Sequence, residues 1–359
     1  MSTVRPDLEA QRMLRVRSWR EGKPQGPVFM EIFPTAACNL DCLFCWRQLF
    51  RDASPRQELS DLRLRAVAEE AVALGVQAVC LKGGGEPLLR RDFVEYAAKH
   101  FFRAGVFTQL ITNGTLFDAK LCGLLVGCRW GDISFSVDGP DAATHDRLRG
   151  RSGAFDKIIE AVWVFNKLKK AFAAENPVLT LHCVVTNAVS ERIGAMLELA
   201  ASLEIPEITF DSMAMGAPAC PSLALSPEQQ TLFLNSIDGW LERAKALGVR
   251  CNLERFRAQG GASRATAPRP KTGHPLCYHP WHQLSLREDG SLLPCCVAEC
   301  REGASRLGDM TLAEAWFLGP MEAARCAMSA GKAPSYCRSC HGLFGHENAH
   351  LRAALEAQS

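Results

Sequence analysis

VFMEIFPTAACNLDCLFCW, residues 28–46, runs a short apolar segment directly into a loop that carries three cysteines. Residues 28–33 form a short, largely apolar strand-like run. Cys38, Cys42 and Cys45 follow in a C-x3-C-x2-C spacing. Thiolates this close on one loop converge on one side of a metal group, and their softness favours an iron–sulfur cluster, zinc or copper(I). Three of them leave one iron of a [4Fe–4S] cluster without a protein ligand, open to an exogenous one. A zinc site short of a ligand and cysteines buried as small hydrophobes are the competing readings.

Strand-like runs recur downstream: QAVCLKG (77–83), VFTQLIT (106–112), GDISFSV (131–137), LTLHCVV (179–185) and EITFDS (207–212). Between them lie helical patterns such as LRLRAVAEEAVAL, DFVEYAAKHFFRA, AFDKIIEAVWVFNKLKKAF and ERIGAMLELAASL. Six β-then-α units in series predict a parallel sheet with right-handed crossovers and helices outside it. Six rather than eight predict an open, partial (β/α)6 TIM-like barrel. Ligands of parallel α/β folds gather at the carboxyl ends of the strands. Each notable motif here ends a strand: the cysteine loop the first, GGGEP the second, TNGT the third, SVDG the fourth and VVTN the fifth.

A further helix is expected over 226–247, and AQGGASRATAPRPKTG (258–273) reads as a linker or loop. From His274 the cysteines become dense and the elements short, as in a small domain held by metal rather than by a core of its own. The expected division is an N-terminal extension (1–27), the barrel (28–250), a linker (251–273), a small C-terminal α+β domain (274–346) and a tail (347–359).

The 359 residues suffice for one large and one small domain. A net charge of +2 gives no reason to expect nucleic acid or an anionic membrane as partner. No apolar run approaches the ~20 residues that span a bilayer, and the charged N-terminus lacks a signal core. A cytoplasmic location is therefore expected, where sixteen cysteines point to metal or catalytic roles rather than disulfides.

The cysteine loop after the first strand, Phe44 just before its last cysteine and GGGEP at the next strand end together resemble the radical S-adenosylmethionine (SAM) superfamily, over nearly the whole chain. The resemblance implies that Cys38, Cys42 and Cys45 hold a [4Fe–4S] cluster whose unique iron is chelated by the amino and carboxylate groups of SAM. It implies reductive cleavage of SAM to a 5′-deoxyadenosyl radical that abstracts a substrate hydrogen, with a reductant such as flavodoxin or ferredoxin as partner.

KGGGEP (82–87) resembles the family's Gly-Gly-Glu-Pro motif, which implies Gly84, Gly85 and Glu86 as SAM contacts. Glycines admit close backbone approach, and carbonyls can accept from the SAM ammonium; a tight turn alone would also want them. Ser136 and Asp138 lie two apart and project from one strand face. The family pattern implies contacts to ribose or the methionyl group, while Asp138 can equally cap a turn. Thr112 and Asn113 either help hold SAM or substrate or form an Asn-Gly turn. Arg149 resembles a basic site before the fourth helix, implying an ion pair or a SAM carboxylate contact, against a solvated arginine. Thr186 and Asn187 end the fifth strand.

The C-terminal group reads CYHPWHQLSLREDGSLLPCC, then LGDMTLAEAWFLGPMEAAR, then CRSCHG. SLREDGSLLPC has the pattern of a hairpin about Gly290 that delivers a thiolate at its end. The segment resembles the SPASM and twitch auxiliary iron–sulfur domains of radical SAM enzymes. The full SPASM pattern has more cysteines, and none follows Cys340 here, so the resemblance implies one auxiliary [4Fe–4S] cluster on Cys277, Cys295, Cys337 and Cys340, as in the radical SAM cyclitol dehydrogenases. Tetrahedral zinc is the bland alternative. Cys296, Cys300 and Cys326 are read as structural, as a substitute ligand or as a catalytic thiol. The nearby histidines, His279 and His282 among them, are read as surface or hydrogen-bonding groups.

A fully ligated auxiliary cluster suits electron acceptance, so net substrate oxidation is the expected reaction; no residue is identified as the proton acceptor. Members with such domains act on ribosomal peptides, sugars and cyclitols. Only 37 residues precede Cys38, too few for a leader-recognition domain, which favours a sugar- or cyclitol-like small molecule over a peptide. An iron–sulfur electron carrier or scaffold is the non-enzyme alternative.

Overall fold

The computed structural model describes residues 7–50, 57–213, 217–258, 277–296, 304–332, 334–337 and 345–356. In chain order the elements begin α1 (Leu8–Arg20), β1 (Phe29–Ile32), α2 (Asp61–Ala73), β2 (Ala78–Leu81), α3 (Arg91–Ala104), β3 (Phe107–Thr112) and α4 (Ala119–Gly127). They continue β4 (Asp132–Ser136), α5 (Ala142–Arg149), α6 (Ala154–Ala171), β5 (Val178–Val185), α7 (Ile193–Ser202), β6 (Glu207–Ser212), α8 (Cys220–Leu223) and α9 (Pro227–Ala246). The last are β7 (Arg250–Cys251), α10 (Arg255–Ala258), α11 (His279–His282), β8 (Gln283–Leu286), β9 (Leu292–Leu293), α12 (Leu312–Phe317), α13 (Pro320–Ser329) and α14 (Gly345–Glu356). All six strand runs read from the sequence are present. The two-residue β7 and the N-terminal helix α1 were not foreseen, because one is too short and the other too polar to carry a periodic signal.

By contact the chain divides into two units, Met1–Ala36 with Arg56–Gln109 and Pro268–Ser359, and Ala37–Pro55 with Leu110–Ala267. In the first, β1 pairs parallel with β2, Phe29 opposite Ala78 through Ile32 opposite Leu81. On its other edge β1 pairs parallel with β8, Phe29 opposite Gln283 through Ile32 opposite Leu286. β8 turns back antiparallel on β9, which is the hairpin expected about Gly290 (φ +82°). Every residue of β1, β2 and β8 is buried, as parallel strands covered on both faces require. The Ser60 hydroxyl caps α2, whose Leu64, Val67, Ala68 and Ala71 face inward. α3 buries Phe93, Val94, Ala97, Ala98 and Phe101 and stops at Gly105 in the left-handed conformation.

In the second unit β4, β5, β6 and β7 are parallel neighbours in sequence order. β5 alternates half-buried and buried residues along its whole length. Its buried row joins Ile133 and Phe135 of β4, and Phe135 meets Phe165 of α6 at 6.3 Å between ring centres. The opposite face carries Ser134, Ser136, His182, Thr209 and Asp211. Capping residues start the helices: Asp118 for α4, Asp141 for α5, and a Ser226–Gln229 capping box for α9. Among the described residues no helix is long and apolar enough to cross a membrane. Most of the 258–273 loop lies outside the described residues.

Candidate functional site

The loop after β1 gathers its cysteines as the spacing requires. Cys42 is buried with Leu40 and Ala154, and Cys38 and Cys45 pack on the same cluster. Two neighbours fix the loop. The end of α5 accepts from its backbone, Asp41 N to Arg149 O at 3.2 Å and Leu43 N to Leu148 O at 2.9 Å. Gly150, at φ +65°, lies so near that a Cβ there would stand 2.5 Å from the Asp41 carbonyl oxygen. From the other side the 112–115 turn engages the loop. Asn113 Nδ2 donates to Asn39 Oδ1 at 2.9 Å and lies 3.9 Å from Cys38 Sγ, while Asn39 Nδ2 donates to Thr115 Oγ1 at 2.8 Å. Thr112 Oγ1 accepts from Gly114 N within that turn, and so Thr112 shapes the loop's support.

Arg149 and Asp138 form a buried ion pair. Arg149 also points NH1 at Cys42 Sγ, 3.7 Å away, and its guanidinium lies 5.8 Å from the Phe44 ring centre. Burial opposes the charge on Arg149, but Asp138 and Cys42 more than offset it, so its pKa is raised. Asp138 Oδ1 accepts from Val184 N at 2.7 Å, and its own N–H donates to His145 Nδ1 at 3.2 Å. Burial, then the Arg149 charge, pushes His145 down to about 4, so the imidazole is neutral. Burial raises the thiol pKa of Cys42 against the opposing charge of Arg149, and burial likewise raises Cys45. Ser136 stands half-buried opposite His182 of β5, whose Nε2 is 2.7 Å from Asp211 Oδ2; Arg255 pairs with the same carboxylate. Thr186 is fully buried at the end of β5.

In the first unit the glycine turn is compact. A Cβ on Gly83 would lie 1.6 Å from Gly85 O, so only glycine fits there, and Gly85 N donates to Thr35 O at 2.9 Å. Gly84 faces Thr35 O and Glu288 Oε2. Glu86 is buried and accepts from Leu88 N at 3.1 Å, capping the short turn that follows. Glu58 holds the approach to the cysteine loop by accepting from Thr35 Oγ1 at 2.9 Å and Ala36 N at 2.7 Å. Sequence reading had no means of finding Glu58, Gly150 or Asn39, because their partners lie far away along the chain.

The C-terminal thiols also converge. Cys277, Cys295 and Cys337 pack on one cluster with Leu293, Tyr336, Met328 and Trp281. Asn348 Nδ2 lies 3.6 Å from Cys277 Sγ, and His279 Nδ1 lies 3.5 Å from it. Cys340 and Cys300 lie outside the described residues. Cys296 goes elsewhere: its thiol bonds to Lys82 and Glu31. Cys326 is exposed on α13 beside Glu322. His279 and His282 are buried rather than at the surface, because α11 leads straight into the fully buried β8.

Both thiol groups have the donor chemistry of iron–sulfur sites: soft sulfur donors set in apolar surroundings. Among the described residues no three His, Cys, Asp or Glu side chains close on the volume of a single metal ion, and a four-iron cubane holds its thiolates further apart.

A family profile, the Radical SAM superfamily, matches residues 32–200. AdoMet-dependent heme synthase of Methanosarcina barkeri is 32% identical over 169 residues, 47% of this chain and 46% of that protein, so the chain matches about half the length of that relative. PqqA peptide cyclase of Methylocella silvestris is 29% identical over 324 residues, 85% of this chain and 78% of its own. Among solved structures, Streptococcus suis SuiB bound to precursor peptide SuiA matches with a TM-score of 0.63 at 15% identity, over 86% of this chain and 69% of that one. The shared fold is the partial α/β barrel expected from the six β-then-α units. The profile match over residues 32–200 takes in the thiol loop, and these likenesses make the chain similar to radical SAM superfamily proteins, a family that binds SAM and a [4Fe–4S] cluster.

Proposed function

We propose that the chain is a cytoplasmic, peptide-modifying radical SAM oxidoreductase that abstracts hydrogen from a ribosomally made precursor and oxidises it. The observation that carries this reading is the pair of thiol groups: Cys38, Cys42 and Cys45 in one apolar cluster, Cys277, Cys295 and Cys337 in another. The likeness to PqqA peptide cyclase over 85% of the chain supports a peptide substrate over a sugar- or cyclitol-like molecule.

Cys38, Cys42 and Cys45 would hold the cluster that, with SAM bound, supplies a 5′-deoxyadenosyl radical for hydrogen abstraction. Asn113, Asn39 and the end of α5 keep that loop in place, and the burial of Cys42 keeps water from its sulfur. Cys277, Cys295, Cys337 and Cys340 would hold a second [4Fe–4S] cluster, within a SPASM/twitch-type segment at 274–346. Four thiolates complete its coordination, which leaves electron acceptance as its chemistry and favours net oxidation, the substrate losing one hydrogen atom, one proton and one electron. Flavodoxin or ferredoxin would supply the reducing electron at the first cluster.

The test is anaerobic reconstitution, then SAM, dithionite and synthetic copies of short peptides encoded beside the gene. Release of 5′-deoxyadenosine with a peptide product lighter by two hydrogens, read by mass spectrometry, is expected. Release of 5′-deoxyadenosine with every peptide unchanged would move the reading to a small-molecule substrate, the alternative that the heme synthase likeness supports. No release at all would leave a carrier or scaffold.

A further inference from the structure

Arg149 ends α5 with its guanidinium in the interior, 9% exposed, against a fully buried Asp138. NH2 engages the Asp138 carboxylate and NH1 reaches Cys42 Sγ at 3.7 Å. The remaining Nε is buried without a hydrogen-bond partner among the described residues. The two-pronged fork that suits a carboxylate ligand such as that of SAM is therefore already divided between Asp138 and Cys42.

Both ends of the pair are anchored. Asp138 is held by Val184 N and by His145 Nδ1, and the Arg149 backbone holds Asp41 N in the cysteine loop. The guanidinium is thus held between the Asp138 carboxylate and the Cys42 sulfur. A fixed cation in a poorly solvated place acts strongly on a neighbouring charge, and an N–H aimed at a ligating sulfur stabilises added negative charge. Hydrogen bonds to sulfur, net charge and burial are what set iron–sulfur potentials.

We propose that Arg149, oriented by Asp138, is a positioning residue that raises the reduction potential of the cluster held by Cys38, Cys42 and Cys45 and so eases its one-electron reduction by an external low-potential reductant. This rests on Cys42 being a ligand; loss of iron from Cys42→Ala tests that separately.

The experiment is an EPR-monitored redox titration of the reconstituted full-length protein without SAM, with the signal assigned by its response to added SAM. Arg149→Gln combined with Asp138→Asn removes both charges and keeps both positions polar. Its reduction equilibrium constant is expected to fall at least tenfold, about 59 mV for one electron. Asp138→Asn alone leaves the cation on the sulfur without its counter-charge, and the constant is expected to rise. Should the double variant lose its cluster, the single variant decides: an unchanged or lowered constant there overturns the proposal. A double variant within twofold of wild type, with weaker SAM binding, also overturns it and makes Arg149 a SAM ligand instead.

Discussion

The Cα of Gly150 stands so close to Asp41 that a methyl group added there would lie 2.5 Å from the Asp41 carbonyl oxygen. The residue that caps the C-terminus of α5 thus doubles as a wall of the cysteine loop. Gly150→Ala incurs both the left-handed backbone penalty and this clash, roughly 2 kcal/mol or more. A lowered denaturation midpoint and reduced iron at the first cluster are expected, read by chemical denaturation and iron analysis. Wild-type iron content would show that the loop tolerates displacement.

The two thiol groups should separate in function. Cys42→Ala is expected to abolish 5′-deoxyadenosine release. Cys337→Ala should lose about four irons per chain and spare some release while blocking peptide product. Normal product yield from Cys337→Ala would remove the electron-accepting role from the C-terminal thiols.

The buried Glu31 pairs with the half-buried Lys82 at 2.8 Å, and Gln283 and Ser285 donate to the same carboxylate. Burial would raise the Glu31 pKa, yet Lys82, Ser285 and Cys296 bring it below the usual value. Lys82→Met strands a buried carboxylate and is expected to cost about 3–5 kcal/mol, whereas Lys82→Met with Glu31→Gln should cost less. Additive losses in denaturant melts of the four-member cycle would show that the two groups act independently.

His145 titrates near 4 in the folded protein and near 6.5 when unfolded, because burial and Arg149 disfavour its charge. Between those values the unfolded chain binds more protons, so His145 lowers stability as pH falls from about 6.5 towards 4, by up to about 1.4 kcal/mol per pH unit. His145→Asn, which can still accept from Asp138 N–H, should flatten the pH dependence of the denaturation midpoint in that window. An unchanged slope would place the acid sensitivity elsewhere.

Much of this fold was legible because parallel strands announce themselves as short apolar runs and their helices as 3.6-residue stripes. The cysteine spacings were equally plain. What stayed hidden depends on partners remote in sequence. Arg149 is an ordinary surface-type residue until α5 brings it to Cys42, and Asp138 reads as a turn cap until Arg149 arrives. Cys295 and Cys296 are neighbours, yet one joins Cys277 and Cys337 while the other bonds Lys82 and Glu31. The chain turns directly after β9 at these two residues, and adjacent cysteines in text give no hint that their partners differ. The hairpin about Gly290 was foreseen, but its placement beside β1 was not, since the identity of a strand's neighbour is a property of topology.

That placement sets the order of events during synthesis. Glu31 and Ser285 are 254 positions apart. A nascent chain leaving the ribosome therefore exposes one edge of β1 until the β8 residues emerge. A message truncated ahead of residue 283 should therefore yield a protein with an open edge on β1, prone to aggregate.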